Sequence, residues 1–186
     1  MKKLAAAMLV LTLAAAASAR ELAGVTMPDS AVVSGKTVKL NGLGLRTKLF
    51  FKIYVAGLYL ENPTSDATIA ISSEESKRVV MHFLYKKVSK SQLLDAWNEG
   101  FESNSPADVP KLKKEIAQFL SWMDDISAGS EIVMTYEPGT GTTVEFAGSR
   151  KGTIPGPDFM RALWSVWLGE HPPTGDLRTG MLGKKG

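Results

Sequence analysis

LNGLGLRTKLFFKIYVAGLYLE, residues Leu40–Glu61, opens with an Asn-Gly pair, adds a second glycine two positions on, and then sets one arginine before a long apolar run. Asn41-Gly42 is a strong turn signal, and Gly44 permits a second irregular position. From Thr47 to Leu60 the chain is dense in Phe, Ile, Tyr, Val and Leu, which predicts one long strand. Its alternating sets, Leu49, Phe51, Ile53, Val55 and Phe50, Tyr54, Ala56, Leu58, are both largely apolar. A strand of that kind is covered on both faces and belongs near the middle of a sheet. Arg46, at its head, keeps its charge at any accessible pH and offers five planar donors. It is a surface charge, half of an internal ion pair, or the polar end of a pocket.

On the N-terminal side, Ala31–Gly35 and Lys36–Leu40 are expected as two short extended pieces around a Ser-Gly turn. Further back, Met1–Ala19 has the form of a cleaved secretory signal. Lys2 and Lys3 give the positive start, Leu4–Leu13 the apolar stretch, and Ala17-Ser18-Ala19 the small-residue cleavage site. The apolar block is shorter than the roughly 20 residues a spanning helix needs. The expected protein is therefore a single domain over residues 20–186, exported to the periplasm or beyond, with no transmembrane segment after cleavage.

Of 22 Lys and Arg against 19 Asp and Glu, two lie in that leader, so the remainder is close to neutral. No basic stripe with interleaved aromatics is present, which argues against nucleic acid as a partner. Cysteine is absent, so stability rests on core packing rather than disulfides.

On the C-terminal side, Ala67–Ile71 and Lys77–Lys86 are expected as strands. From Ser89 the period becomes helical through Leu93, Leu94, Trp97 and Phe101, with Ser89 or Ser91 as cap. Asn104–Pro110 is expected as a loop. Leu112, Ile116, Phe119, Leu120, Met123 and Ile126 then form an amphipathic pattern that Ala128-Gly129 ends. Glu131–Glu137 and Thr142–Phe146 form a hairpin around Pro138–Gly141, and Ser149–Ile154 adds a strand. Phe159–Leu168 is the last expected helix, and the tail from Pro172 is expected as loop. Strands, a helical pair, strands and a helix make an α+β fold with helices against an antiparallel sheet.

Candidates for chemistry are few. His82 and His171 have no metal-ligand spacing, and no metal or other cofactor is expected. His82 is expected as a satisfied core histidine, and His171 as a cation at a helix C-terminus. Gly42-Leu43-Gly44 is a lone G-x-G without the rest of a phosphate loop. Asp124-Asp125 is expected on a solvated helix face, and Glu131, Glu137 and Glu145 in cross-strand surface pairs. That leaves Arg46 and Tyr54, whose even separation on one strand puts both side chains on one face. An arginine on that apolar face needs an anion, because an unpaired buried charge is very costly.

Gly42–Arg46 followed by Tyr54–Glu61 resembles the core motif of the chalcone isomerase fold. Gly156-Pro157-Asp158-Phe159, then Trp167–Glu170, Pro173 and Asp176-Leu177, resembles that family's last helix. The resemblance spans roughly Lys36 to Leu182 and is nearest to the exported bacterial branch. It implies an open-faced β-sandwich: a large antiparallel sheet backed by helices, with a cleft between them. The family holds isomerases, fatty-acid-binding members and non-catalytic homologues, so fold alone does not give activity.

Taken residue by residue, the resemblance puts the arginine that steers the isomerase reaction, or grips a ligand carboxylate, at Arg46. A threonine of the isomerases falls on Tyr54, where a tyrosine resembles the fatty-acid-binding branch instead, and the spacing between Arg46 and Tyr54 is shorter here. The isomerases' helix tyrosine and asparagine fall near Leu93 and Gly100, and a last-helix threonine near Val166. None of those three side chains donates a hydrogen bond. Losing one preorganised oxyanion donor typically costs two to three orders of magnitude in rate. The expectation is therefore a binding protein rather than an enzyme, taking a fatty acid or similar amphiphilic carboxylate. Arg46 and Tyr54 would hold the head group, with Phe50, Leu58, Leu93, Trp97, Trp164 and Val166 along the tail. The alternatives are a weak lyase or isomerase on an enone-type substrate that uses Arg46, and a ligand-free partner-binding protein in which Arg46 meets an internal carboxylate.

Overall fold

The computed structural model describes residues 18–184. All of the expected signal except Ser18 and Ala19 lies outside the described residues. In chain order the first elements are strands β1 (Ala19–Leu22), β2 (Val25–Pro28), β3 (Ser30–Val33), β4 (Lys36–Lys48) and β5 (Phe51–Leu60). Helix α1 (Ala67–Ser72), strands β6 (Lys77–Phe83) and β7 (Lys87–Val88), and helices α2 (Lys90–Asn104) and α3 (Lys113–Ser121) follow. Strands β8 (Ile126–Ser127), β9 (Glu131–Glu137), β10 (Gly141–Phe146) and β11 (Ser149–Ile154) then lead to helices α4 (Pro157–Leu168) and α5 (Gly175–Met181).

Seven strands make one antiparallel sheet in the order β11-β10-β9-β6-β5-β4-β3. As expected, β5 is central and buried on both sides. Tyr54, Ala56, Leu58 and Leu60 join the main core beneath the helices. Val55 and Tyr59 face the other way, into a smaller cluster closed by Val25 and Met27 of the β1–β2 ribbon. The Tyr59 hydroxyl fastens that ribbon by donating to the Pro28 carbonyl at 3.0 Å. Helix α4 is buried almost all round, with Trp164 and Trp167 inside. Burial of a large apolar side chain contributes on the order of 1.5–3 kcal/mol, so α4 is the axis of the helical layer.

Several expectations change. Asn41-Gly42 is not a turn, because β4 runs straight through it with an irregularity between Leu40 and Gly42. Asn41 sits in that bulge. Its amide donates to the Met181 carbonyl at 2.9 Å and its side-chain oxygen accepts from the Thr64 N–H at 2.8 Å. The long strand expected over Thr47–Leu60 is a hairpin whose two-residue tip is Leu49-Phe50, with Leu49 at φ 55°. Arg46 and Tyr54 do share a face, but as direct partners across β4 and β5. The amphipathic helix expected through Ile126 ends at Ser121, and Ile126 pairs with Val88 in a separate two-stranded ribbon. Asp125 is not on a helix either; its carboxylate accepts from the Lys90 N–H at the start of α2 and pairs with Lys87 at 2.6 Å. His82 is half-buried on the outer sheet face and donates from Nδ1 to Glu131 at 2.9 Å, so it is not a core residue.

Ala67–Ile71, expected as a strand, is helical. The Asp66 carboxylate accepts from the N–H groups of Thr68 and Ile69, which nucleates the first turn. At the other end, the buried Lys77 ammonium donates to the carbonyls of Ala70 (2.8 Å) and Ile71 (3.5 Å) and to Ser73 Oγ (3.0 Å). Burial pushes the Lys77 pKa down to about 8, against an opposing pull from Glu75. Between that value and the ordinary 10.5, the unfolded chain holds a proton that the folded chain has released. Stability therefore rises with pH from about 8 until Tyr59 begins to count the other way above its ordinary 10.0. Tyr59, raised to about 12 by burial, keeps its proton in the fold after the unfolded chain has lost it. The unfolding free energy from urea denaturation is expected to increase between about pH 8 and 10 by on the order of 1–3 kcal/mol, and the slope to vanish in Lys77→Met. A flat profile for the unmodified chain would refute this account.

Candidate functional site

The helix-facing side of β4 presents Gly42, Gly44 and Arg46 in succession, two residues apart. The glycines form a seat for α5. A Cβ on Gly42 would lie 2.0 Å from the Gly180 carbonyl oxygen, and one on Gly44 would lie 2.2 Å from that of Leu177. Gly180 answers from the helix, where a Cβ would meet the Leu43 carbonyl oxygen at 2.3 Å. The strand and helix backbones thus touch, and the next side chain along the strand, Arg46, emerges past the helix into a cleft.

That cleft has a volume of about 780 Å³ and lies between β4, β5, β6, α2, α4, α5 and the turn leading into α5. Its apolar wall comes from Met81, Leu93, Ala96, Trp97, Val166 and Trp167. Arg46 and Arg178 supply guanidinium groups, and Tyr54 a hydroxyl. Glu99, Glu170 and His171 also line it. Arg178 is anchored by donating from Nε to the Leu168 carbonyl at 2.8 Å, which leaves its two terminal nitrogens unassigned. Among the described residues, Arg46 takes part in no ion pair. This runs against the alternative in which an internal carboxylate neutralises it.

Tyr54 is only 6% exposed. Its oxygen accepts from Trp167 Nε1 at 3.2 Å, and its own O–H remains available to donate. Burial raises its pKa above the ordinary tyrosine value, although the Arg46 charge and the Trp167 bond both act to lower it. The phenol therefore stays neutral and protonated near neutral pH. Trp97 stacks edge-on with Trp167 (5.4 Å) and Phe119 (4.9 Å), and its indole N–H is buried without a partner.

Of the residues named from the sequence, Arg46, Tyr54, Leu93, Trp97 and Val166 line this cleft. Phe50 does not; it stands 98% exposed at the β4–β5 tip, because the hairpin turns where a continuous strand was expected. Leu58 and Trp164 are fully buried in the core and do not reach the cleft. Leu58 lies opposite Gly42, beneath the α5 seat. Gly100, also on the cleft, has no room for a side chain, since a Cβ would meet Val166 Cγ1 at 2.6 Å.

Arg178 and Thr179 also line the cleft, on α5, where the sequence predicts a loop from Pro172 onward. Thr174 caps α5 by accepting from the Leu177 N–H at 3.3 Å, and Asp176 lies in its first turn. Two prolines, a threonine and an acidic residue are a helix-start signal that would have found them.

The profile of the chalcone isomerase-like family matches residues 19–183. No curated protein matches the chain. Among solved structures, a fatty-acid binding protein of Arabidopsis thaliana superposes with a TM-score of 0.68 at 17% identity. That alignment covers 89% of this chain and 96% of the plant protein. At such identity the likeness establishes a common fold. The family profile spans nearly all the described residues, and the protein belongs to the chalcone isomerase-like family.

Proposed function

We propose that the cleft binds a fatty acid or a comparable amphiphilic carboxylate and carries out no reaction on it. The observation behind this reading is Arg46: a guanidinium in a cleft with one apolar wall, in no ion pair among the described residues. A planar carboxylate is the anion whose geometry matches a guanidinium fork. Tyr54 would add a hydrogen bond to the same head group, and Arg178 a second cation. Leu93, Trp97 and Val166 would flank the tail. The volume falls within the roughly 300–1,000 Å³ usual for ligand pockets. The structural likeness to a protein described as fatty-acid binding supports the same reading.

Delipidated protein should bind a long-chain fatty acid at least about tenfold more tightly than the alcohol of equal chain length, since only the acid meets the guanidinium as an ion. Equal affinities for the two, measured by calorimetry, would end the proposal. The competing reading, an enone isomerase that uses Arg46, has support in the retained cation. Leu93, Gly100 and Val166 weigh against it, because none offers a donor to an enolate oxygen. Turnover of an enone that depends on Arg46 would reverse this ranking. The reading also includes export through Met1–Ala19, for which a mature intact mass beginning at Arg20 is the check.

A further inference from the structure

Five large apolar side chains are exposed among the described residues, and three of them are consecutive: Leu49 (84%), Phe50 (98%) and Phe51 (53%) at the β4–β5 tip. Leu and Phe are unusual choices for a two-residue hairpin loop, which favours Asn, Asp and Gly. Leu49 adopts positive φ there without the freedom of a glycine. Exposed Lys48 and Lys52 flank the tip. The edge-to-face contact of Phe51 with Tyr85, at 5.3 Å, brings exposed Lys86 beside it. Among the described residues Lys48, Lys52 and Lys86 are in no ion pair, and the one neighbouring pair, Lys87–Asp125, consumes a carboxylate. The chain has no Asp or Glu between Gly42 and Leu60, nor between Lys77 and Leu94.

We propose that this tip is a membrane-docking finger whose Leu49 and Phe50 enter the interface of an anionic phospholipid bilayer while the surrounding lysines meet the head groups. Apolar side chains at the apex with cations one layer back reproduce the order of a bilayer surface, acyl chains inside and anionic phosphates above. A protein partner would need a shaped apolar pocket, and two copies of this tip would bring like charges together. A fluid anionic surface accepts both the unshaped apolar apex and its cationic collar. The finger and the cleft share one hairpin, since Arg46 lies two residues before Lys48, so docking would hold the cleft close to the lipid surface. The proposal does not depend on what the cleft holds.

The test is co-sedimentation of the full mature chain with phosphatidylcholine vesicles, with and without phosphatidylglycerol, at low and high salt. The unmodified protein should pellet with the phosphatidylglycerol vesicles and be released by salt. Leu49→Ser/Phe50→Ser should lower partitioning on the order of tenfold or more with an unchanged melting temperature, as both side chains are already in solvent. Lys48→Glu/Lys52→Glu should abolish the preference for phosphatidylglycerol. In Phe50→Trp the added indole emission should shift to the blue on those vesicles alone. Absence of pelleting, pelleting indifferent to the tip substitutions, or no shift in Phe50→Trp would overturn the proposal. So would a dimer in solution that the same serine substitutions dissolve, which would assign the tip to self-association.

Discussion

Arg46→Ala is expected to weaken binding of a long-chain carboxylate by roughly 10- to 100-fold, which is the worth of a charge-assisted hydrogen-bonded pair. Stability should change little, because among the described residues the guanidinium makes no ion pair that the substitution would break. Arg46→Lys should recover only part of the affinity, since an ammonium keeps the charge but loses the planar fork. Tyr54→Phe should have a smaller effect on affinity, and it also leaves the Trp167 indole N–H at 3.2 Å without its acceptor. Titration of the delipidated variants by calorimetry separates these outcomes. Unchanged affinity in Arg46→Ala would move the head group elsewhere in the cleft, with Arg178 the remaining cation.

The second large effect belongs to stability. Gly42→Ala and Gly44→Ala are each expected to cost about 3 kcal/mol or more, at the upper end of overpacking penalties. The atoms a new methyl would strike, the Gly180 oxygen at 2.0 Å and the Leu177 oxygen at 2.2 Å, are backbone and cannot rotate away. Gly180→Ala should behave alike, as it closes the same seam from the helix side. Gly175→Ala is the control: it opens α5, and a Cβ there meets nothing within 4 Å. Urea denaturation of the four variants should show three large losses and one near-neutral change. Because α5 carries Arg178 and Thr179 to the cleft, the three destabilised variants should also bind carboxylate more weakly. Wild-type stability in Gly42→Ala would mean that α5 does not rest on β4.

The motif Gly42-Leu43-Gly44-Leu45-Arg46 therefore has a different physical meaning from the one its glycines suggested. Composition alone favours a turn at Asn-Gly. The strand wins because Asn41 finds partners in the Met181 carbonyl and the Thr64 N–H, and because the bare backbone at Gly42 and Gly44 is covered by α5. Both partners lie far along the chain or in another element, so no local window contains them.

Much else was legible because its causes are local. The alternation in Lys77–Phe83, the Ser89 cap of α2, the hairpin of β9 and β10 and the helix through Phe159–Leu168 each rest on neighbouring residues. The α+β class followed from the change of period along the chain, and the family from two separated motifs in order. Only the family resemblance points to Leu93 and Val166 as cleft residues, since apolar side chains at helical spacing have no local mark that separates pocket wall from core. Leu58 and Trp164, of the same chemical type, went into the core.

Three features depended on contacts between distant segments. The Leu49-Phe50 tip carries strand-forming residues, so the hairpin that pairs Arg46 with Tyr54 left no turn signal behind it. Helix α1 has a β-branched sequence and is held by Asp66 at one end and the Lys77 ammonium at the other. The cleft itself exists because a glycine seam lets α5 approach β4 closely enough to set Arg178 beside the face that carries Arg46. Period and composition report which residues suit a strand, a helix or a core. Which charge is left without an internal partner, and faces a cavity, is a property of packing between elements remote in the chain.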